Sequence, residues 1–275
     1  MAILTVSRQI ASLGDEICAI IANKLGYRFI GRRDLEKRII RLGFPEKLLP
    51  KYDEKKPSFF AALTKTRDEY LDYLQTAILE AAAQNDCIMI GRGSYIILKD
   101  IPNHLSFRFI SDERTRLERL QRELGCDEKT ARKRIAESDA NRLGFHKSYF
   151  NFDCNDPSMF HLVINTGFFN AESLAEGIAR MVRANVTEEI EEIGQKKIEE
   201  QLIGQRIVNM LIFDYDININ FLRAEIRGGK KIILHGIADS SAVVERALLI
   251  AMCELPSYEI KSAIRVAQDF KAYQE

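Results

Sequence analysis

The sequence lacks any excess of charge, since 40 lysines and arginines balance 40 aspartates and glutamates among its 275 residues. A balanced chain has no bulk field that would draw it to a polyanion, so we expect no nucleic-acid partner and only local anion binding. The sequence also lacks an apolar run near the eighteen residues of a membrane-spanning helix. These absences exclude a membrane-spanning chain and a generally basic binding protein.

Paired cysteines are missing as well. None of the five cysteines stands two residues from another, as those of zinc and redox sites do, and the four histidines have no partners at ligand spacing. We therefore expect no metal site and reduced cysteines. The chain enters a strand-like run at residues 3–6 without the pattern of an export signal, so a soluble, cytoplasmic protein is expected.

What the sequence does contain is an alternation of short β-rich runs and longer helical patterns. The runs are apolar at consecutive positions, which is typical of parallel strands covered by helices on both faces. They lie at residues 3–6, 28–30, 87–90, 106–110 and 162–164. The predicted fold is α/β, with a parallel five-stranded sheet flanked by helices. Helices are predicted over 68–83 and after Asp112 and Asn170, and short helices or a flexible excursion over 41–65.

The composition changes after residue 184, where a charged helical run begins. Beyond it, alternating apolar residues, the turn Gly228-Gly229 and a second apolar run predict a hairpin. A helix over 240–254 and a strand over 260–267 are predicted to follow. We therefore predict a first domain over 1–185, a charged helical linker over 186–195 and a small α+β domain over 196–270.

The turn after the first strand is a candidate phosphate loop, because a strand, a short loop and a helix can hold an anion with backbone N–H groups. The standard motif has glycine, four residues and then Gly-Lys-Ser or Gly-Lys-Thr. Residues 7–16 read SRQIASLGDE and do not match it. An ordinary strand–loop–helix junction is the alternative.

Four stretches, in order, resemble the cytidylate kinase-like family of P-loop nucleoside monophosphate kinases over residues 1 to about 183. They are Val6-Ser7-Arg8-Gln9 with Gly14, then Gly91-Arg92-Gly93, then residues 109–114, and a lid-like segment from Ala131 to Thr166. The resemblance implies cofactor contacts from Ser7, Arg8, Ser12 and Gly14, substrate contacts from Gly91, Arg92 and Gly93, and catalytic roles for Arg134 and Arg142. ATP and Mg²⁺ are the implied cofactors of an active enzyme.

The four arginines Arg8, Arg92, Arg134 and Arg142 are expected to converge on one cavity beside the turn after the first strand. Guanidinium groups suit such a cavity because they bind phosphate oxygens with paired hydrogen bonds. Alternatives remain open for each part. Arg92 also fits a structural ion pair, the lid arginines also fit a solvated helix face, and Asp139 is expected to pair with lid arginines.

The loop departs from the family pattern at three positions. Ala11 and Leu13 stand where the family has glycines, and Asp15 stands where phosphate loops carry a cation. We therefore expect a protein that binds a nucleotide or another small anion through a degenerate loop, with weak or absent phosphoryl transfer and a sensory or regulatory role. The alternative is an active kinase that transfers phosphate from ATP to CMP or a related nucleotide.

The C-terminal region resembles a BON module over about 196–268, in the hairpin 226–239, the helix with Glu245-Arg246-Ala247 and the strand 260–266. The resemblance implies a hydrophobic ligand or a protein partner, with a homo-oligomer left open. An unrelated α+β domain is the alternative.

Overall fold

The structure is a computed structural model of the chain and describes residues 2–52 and 65–267. The chain divides into two compact units, residues 1–195 and residues 196–275. The segment predicted to be short helices or a flexible excursion lies partly outside the described residues. Within them it forms a 3-10 turn, Glu46–Leu48, and the helix α3, Leu49–Tyr52.

The first unit is built on a five-stranded sheet of order β2-β3-β1-β4-β5, in which every neighbouring pair is parallel. The strands are β1 Ile3–Arg8, β2 Arg28–Ile30, β3 Cys87–Ile90, β4 His104–Ile110 and β5 Leu162–Asn165. The predicted parallel five-stranded sheet is confirmed. Because β1 lies at the centre, the loop that follows it opens at the middle of the sheet's carboxyl edge, where parallel α/β folds place ligands.

Helices flank this sheet and continue into the second unit. Their bounds are α1 Gly14–Leu25, α2 Arg32–Arg41, α4 Lys65–Ala82, α5 Ser94–Ile97, α6 Glu113–Leu124, α7 Glu128–Phe150, α8 Ala171–Asn185, α9 Glu188–Asn209 and α10 Ser241–Glu254. The predicted helix starts are confirmed, since Asp112 accepts a hydrogen bond from the Thr115 N–H and Asn170 from the Ser173 N–H. The residues predicted as a linker, 186–195, belong to the first unit and mostly to α9.

The core of the first unit explains the consecutive apolar residues of the strands. Side chains of β1, β3 and β4 are buried against α1 and α8 in one cluster that includes Leu4, Ile17, Ile90, Phe109 and Ile178. Burial of each such side chain contributes about 1.5–3 kcal/mol. This packing fixes β1 and α1, and therefore both ends of the loop between them.

The second unit is a small α+β assembly. Its three strands are β6 Asn220–Arg227, β7 Lys231–Ala238 and β8 Glu259–Val266, in the order β6-β7-β8. The predicted hairpin is confirmed, because β6 and β7 pair antiparallel across the Gly228-Gly229 turn, whereas β7 and β8 pair parallel. A single turn of π-helix, Met210–Asp214, follows α9, and the helix predicted over 240–254 is α10, with Ser240 as its N-cap.

The cysteines and the lengths of the helices were two further features that the sequence singled out. All five cysteines are free, and Cys18, Cys87 and Cys154 are buried. Within residues 2–52 and 65–267, no helix has both the length and the apolar character that crossing a bilayer requires.

A buried histidine at the start of β4 makes the stability of the first unit sensitive to acid. The ring of His104 is 3% exposed, its Nε2 lies 2.6 Å from the Thr5 hydroxyl, and burial, followed by His161, lowers its pKa to about 3. Below about pH 6.5 the unfolded chain therefore binds a proton that the folded chain refuses. We expect stability to fall by about 1.4 kcal/mol per pH unit from this group between pH 6.5 and 3.

Urea unfolding at pH 7.0, 6.0 and 5.0 measures that slope in the natural protein and in His104→Gln. The variant is expected to be less stable at pH 7.0, yet to lose less stability on acidification. An equal slope in the two proteins would show that His104 does not titrate in this way.

Candidate anion-binding site

The loop that joins β1 to α1, residues 9–13, keeps a backbone path suited to glycine although it contains none. Ala11 has φ 60° and Leu13 has φ 57°, so both adopt the left-handed conformation. That conformation costs a residue with a Cβ about 1–2 kcal/mol. These are the two positions at which the resemblance led us to expect glycine. Both residues therefore adopt a backbone conformation that favours glycine.

Three side-chain hydrogen bonds, two of them from outside the loop, hold it in this path. The Ser12 hydroxyl donates to the Gln9 carbonyl at 2.8 Å, and the Arg116 Nε donates to the Ile10 carbonyl at 3.0 Å. A third donor, the Arg119 Nη1, reaches the Ala11 carbonyl at 3.3 Å. Because Arg116 and Arg119 lie three residues apart on α6, they share one face of that helix. Helix α6 therefore stabilises the strained loop.

The N-terminus of α1 opens at the end of this loop. Leu13 is the N-cap residue and offers no side-chain hydrogen bond, so no side-chain cap satisfies the N–H groups of the first turn. Such N–H groups and the positive end of the helix dipole attract anions. Gly14 begins the helix, and a Cβ there would lie 2.7 Å from Arg8 Cγ. The close approach of the Arg8 side chain therefore explains this glycine.

A cleft of about 590 Å³ lies over the loop and the first turn of α1, and we call it the loop cleft. Four arginines line it, Arg8, Arg119, Arg122 and Arg142, together with three acidic residues, Asp15, Glu16 and Glu123. Four positive charges minus three negative charges leave a formal charge of +1. The loop cleft thus attracts an anion less strongly than its arginines alone would.

The positions of Arg8 and Asp15 explain part of this weakening. Arg8 Nε lies 3.7 Å from Asp15 Oδ2, and the Asp15 side chain is 65% exposed. The carboxylate therefore stands in the first turn of α1 and pairs with an arginine that the sequence assigned to phosphate. The guanidinium of Arg119 instead donates to neutral oxygens, the Ala11 carbonyl and the hydroxyl and carbonyl of Thr166.

The structure brings together most, but not all, of the residues that the sequence singled out. Arg8, Ser12, Gly14 and Arg142 line the loop cleft. A small pocket beside it is lined by Ser7, Arg8, Gly91, Gly93 and Arg142, with Tyr95 and His146. Arg134 is exposed on α7 and is not among the residues lining the loop cleft. Of the four arginines expected in one cavity, Arg8 and Arg142 share it.

Arg92 lies inside the protein. Its side chain is fully buried, with Nη1 donating to the Tyr70 hydroxyl at 2.7 Å and Nη2 pairing with Glu36 Oε1 at 3.1 Å. Arg92 itself has φ 59° between two left-handed glycines, Gly91 and Gly93. This geometry is that of the structural ion pair considered as the alternative. A substrate contact by Arg92 stays a prediction.

Sequence reasoning missed the arginines of α6 and of β4. Arg108 is buried and donates to the Ser7 hydroxyl at 2.9 Å and to Asn155 at 2.8 Å. Arg116 forms a two-bond ion pair with Asp139 at 2.8 and 2.9 Å, so Asp139 pairs with α6 and not with the expected lid arginines. The available signal was the spacing of Arg116, Arg119 and Arg122 at every third residue of a predicted helix.

The donors around the loop fit phosphate better than they fit a metal. No group of three or more histidine, cysteine, aspartate or glutamate side chains that could hold a metal ion occurs in the described part of the chain. Glu16 stands where a phosphate loop has the hydroxyl that binds magnesium. Magnesium binds through phosphates and few protein ligands, so this substitution removes one protein ligand without excluding a magnesium–nucleotide complex.

Comparison with known families gives a match over most of the first unit. A model described as the cytidylate kinase-like family matches residues 3–167. A cytidylate kinase of Methanocaldococcus jannaschii is 29% identical over 119 residues, which are 42% of this chain and 65% of that protein. The match therefore spans less than two thirds of that relative's length.

A solved structure shares the fold of the first unit. The crystal structure of an uncharacterized protein from Eubacterium ventriosum superposes with a TM-score of 0.53 and 18% identity, covering 67% of this chain and 99% of that one. A shikimate kinase from Acinetobacter baumannii in complex with shikimate gives a TM-score of 0.39 and 12% identity, covering 68% and 96%. The likeness to the Eubacterium ventriosum protein supports the fold of the first unit and carries no conclusion about function.

The strain in the loop can be measured with one substitution. Ala11→Gly removes the Cβ at a left-handed position, and we expect the free energy of unfolding to rise by about 0.5–1 kcal/mol after the added flexibility of glycine is counted. Ala19→Gly, at an exposed position within α1, is the matched control and is expected to lower stability by about 1 kcal/mol. Two equal losses would contradict the strained path.

Proposed function

Because this chain belongs to the cytidylate kinase-like family, we propose that its first unit binds a nucleotide, or a similar small anion, in the loop cleft. We further propose that phosphoryl transfer is weak or absent and that the role of the protein is sensory or regulatory. The observation that carries this proposal is the left-handed path of Ala11 and Leu13 beside four arginines, with Asp15 in the place of a cation.

In this proposal the N–H groups of the first turn of α1 and the side chains of Arg8 and Arg142 donate to phosphate oxygens. Guanidinium groups suit this role because they donate two parallel hydrogen bonds. Asp15 opposes them, and at 65% exposure its repulsion is nearer the roughly 1 kcal/mol of two charges in bulk water than the roughly 4 kcal/mol expected at an effective dielectric constant of about 20. Asp15 therefore weakens phosphate binding less than it slows phosphoryl transfer. The transfer requires the groups around the loop to stabilise the negative charge that develops in the transition state.

The alternative is an active kinase in which MgATP supplies the γ-phosphoryl group and CMP or a related nucleotide accepts it. The name of the Methanocaldococcus jannaschii relative favours this alternative. A coupled assay of ADP release with CMP, UMP, dCMP, AMP and GMP tests it. Turnover above background would support the alternative, whereas binding without turnover supports the proposal.

A thermal-shift screen with ATP, ADP, CMP and pyrophosphate tests the binding itself. A ligand at 100 times its dissociation constant stabilises the folded state by about 2.7 kcal/mol. No shift with any of these anions at millimolar concentration, in low salt, would contradict the proposal.

Substitution of two exposed arginines tests whether phosphate is bound by the residues that line the loop cleft or by the lid arginine that the resemblance implied. Arg122 lines the loop cleft and Arg134 does not, and neither side chain hydrogen-bonds to another described residue. Arg122→Gln is expected to weaken pyrophosphate binding about 5- to 10-fold, as the loss of one charge-assisted contact would. Arg134→Gln is expected to change it less than twofold. The reverse order, measured by calorimetry, would assign phosphate to the lid arginine and contradict the placement in the loop cleft.

For the second unit we propose a BON-like module that recognises a hydrophobic ligand or a protein partner, within a domain division of 1–185, 186–195 and 196–270. The order of α9, β6, β7, α10 and β8 supports this, as does the exposure of Leu249 and Met252 on α10, at 63% and 46%. Liposome co-sedimentation of the full chain tests for a lipid ligand, and light scattering tests for a homo-oligomer.

We also propose a cytoplasmic location, because all five cysteines are free.

A further inference from the structure

A second basic site lies on the first unit, between the edge strand β2 and the helix α2. It is a groove of about 370 Å³, and we call it the β2–α2 groove. Its charged lining consists of Arg28, Lys37, Arg38, Arg41 and Asp34, and the ring of Phe29 forms part of its wall. None of the residues that line it lines the loop cleft. The two sites are therefore separate.

The charges of this groove are poorly balanced. Four cations face one carboxylate, which leaves a formal charge of +3. Asp34 is already engaged, because its Oδ2 accepts from the Gly31 N–H at 3.0 Å. Arg41 has a partner outside the groove, Glu80, at 3.0 Å. The imbalance therefore rests on Arg28, Lys37 and Arg38.

Two of these cations crowd one neutral oxygen. Arg28 Nη1 and Arg38 Nη2 both donate to Gln84 Oε1, at 2.5 and 3.4 Å. The other bonds of Arg28 go to the carbonyls of Ala81 and Asn85, which are also neutral. Neither guanidinium forms an ion pair with a carboxylate of the described residues. Two like charges thus share an amide oxygen, an arrangement that a bound anion would relieve.

We propose that the β2–α2 groove is a second anion-binding site and that it takes a phosphate-bearing small molecule. Guanidinium groups bind phosphate oxygens with paired hydrogen bonds, and Lys37 adds a point charge. Phe29, at 37% exposure, offers an aromatic surface for the organic part of the ligand. The volume lies within the range of small-molecule sites.

Calorimetric titration of the full chain with pyrophosphate in low salt tests the site. Two binding events are expected in the natural protein. Arg38→Gln is expected to weaken one of them at least 10-fold and to leave the other unchanged, while Arg122→Gln affects only the loop cleft. Arg33→Gln is the matched control, because Arg33 is an exposed arginine of α2 that does not line the groove. An isotherm that Arg38→Gln leaves unchanged would overturn the proposal.

This design separates the two sites. If the loop cleft does not bind, a single event that is sensitive to Arg38→Gln remains, and if the groove does not bind, a single event sensitive to Arg122→Gln remains. Titration with ATP and CMP shows whether the organic part contributes, and tighter binding than pyrophosphate in the Arg38-sensitive event is expected. Binding of a short oligonucleotide by the groove without binding of pyrophosphate would overturn the small-molecule assignment.

The substituted residues were chosen so that the variants are expected to fold. Among the described residues, the side chain of Arg38 makes one hydrogen bond, the long 3.4 Å contact to Gln84, so Arg38→Gln is expected to keep the melting temperature of the natural protein or to raise it as repulsion is removed. Lys37→Gln is the second variant, because Lys37 is exposed and makes no hydrogen bond to another described residue. It is expected to weaken the same event about threefold, and an unchanged affinity in both variants would overturn the proposal.

Discussion

Replacement of Arg92 by methionine is expected to lower the free energy of unfolding of the first unit by about 3–5 kcal/mol. The side chain is fully buried and binds Tyr70 and Glu36, so its removal leaves the Glu36 carboxylate without this partner inside the protein. Glu36 is 23% exposed, which places the expected loss nearer the lower figure. Urea unfolding measures it.

Two further variants identify the cause. Glu36→Gln in addition to Arg92→Met is expected to recover part of the loss, because the carboxylate, which keeps Arg32 at 2.9 Å but has lost its buried partner, is then absent. Tyr70→Phe removes the hydrogen bond alone and is expected to cost about 1.5–3 kcal/mol. If Arg92→Met folded with unchanged stability but no longer bound CMP, Arg92 would be a substrate contact, as the sequence resemblance implied, and the structural role would be wrong.

Replacement of Asp15 by lysine is expected to tighten pyrophosphate binding in the loop cleft roughly 10- to 100-fold. The carboxylate lies 3.7 Å from the Arg8 guanidinium, in the turn whose N–H groups face the cleft. The substitution removes this competitor of the anion and adds a cation where phosphate loops carry one. A cation in the first turn of α1 lowers helix stability by about 0.5 kcal/mol, which the fold tolerates.

Glu16→Lys is the matched control for this variant. It makes the same change of charge one residue later, in the same turn and the same cleft, but at the position of the magnesium-binding hydroxyl. We expect its effect on affinity to be under 10-fold. Equal effects of the two substitutions in calorimetry would mean that the overall charge of the cleft, and not the position of Asp15, limits binding.

Much of the fold of the first unit could be predicted from the sequence, because burial on both faces leaves a direct signal. The five strands are apolar at consecutive positions, and Asp112 and Asn170 announce the helices that they cap. The hairpin of the second unit was equally clear, since the Gly228-Gly229 turn stands between two apolar runs.

The site was harder to predict for physical reasons. The positive φ of Ala11 and Leu13 runs against the preference of both residues. The loop that carries them is also held by α6, far along the chain, through hydrogen bonds to two loop carbonyls. An arginine in a sequence also does not reveal its partner, so Arg92 and Arg142 could not be told apart. One is enclosed by Glu36 and Tyr70, and the other lines the loop cleft. Only tertiary packing decides which arginines face a ligand.

The central claim, that the N-terminus of α1 binds phosphate, is tested most directly by amide chemical shifts. In a titration of the full chain with ATP, the N–H signals of Gly14, Asp15 and Glu16 are expected to move together and to saturate with the calorimetric affinity of the loop cleft. If these three signals stay in place while ATP binds elsewhere, or if no signal moves, the loop is an ordinary junction between a strand and a helix.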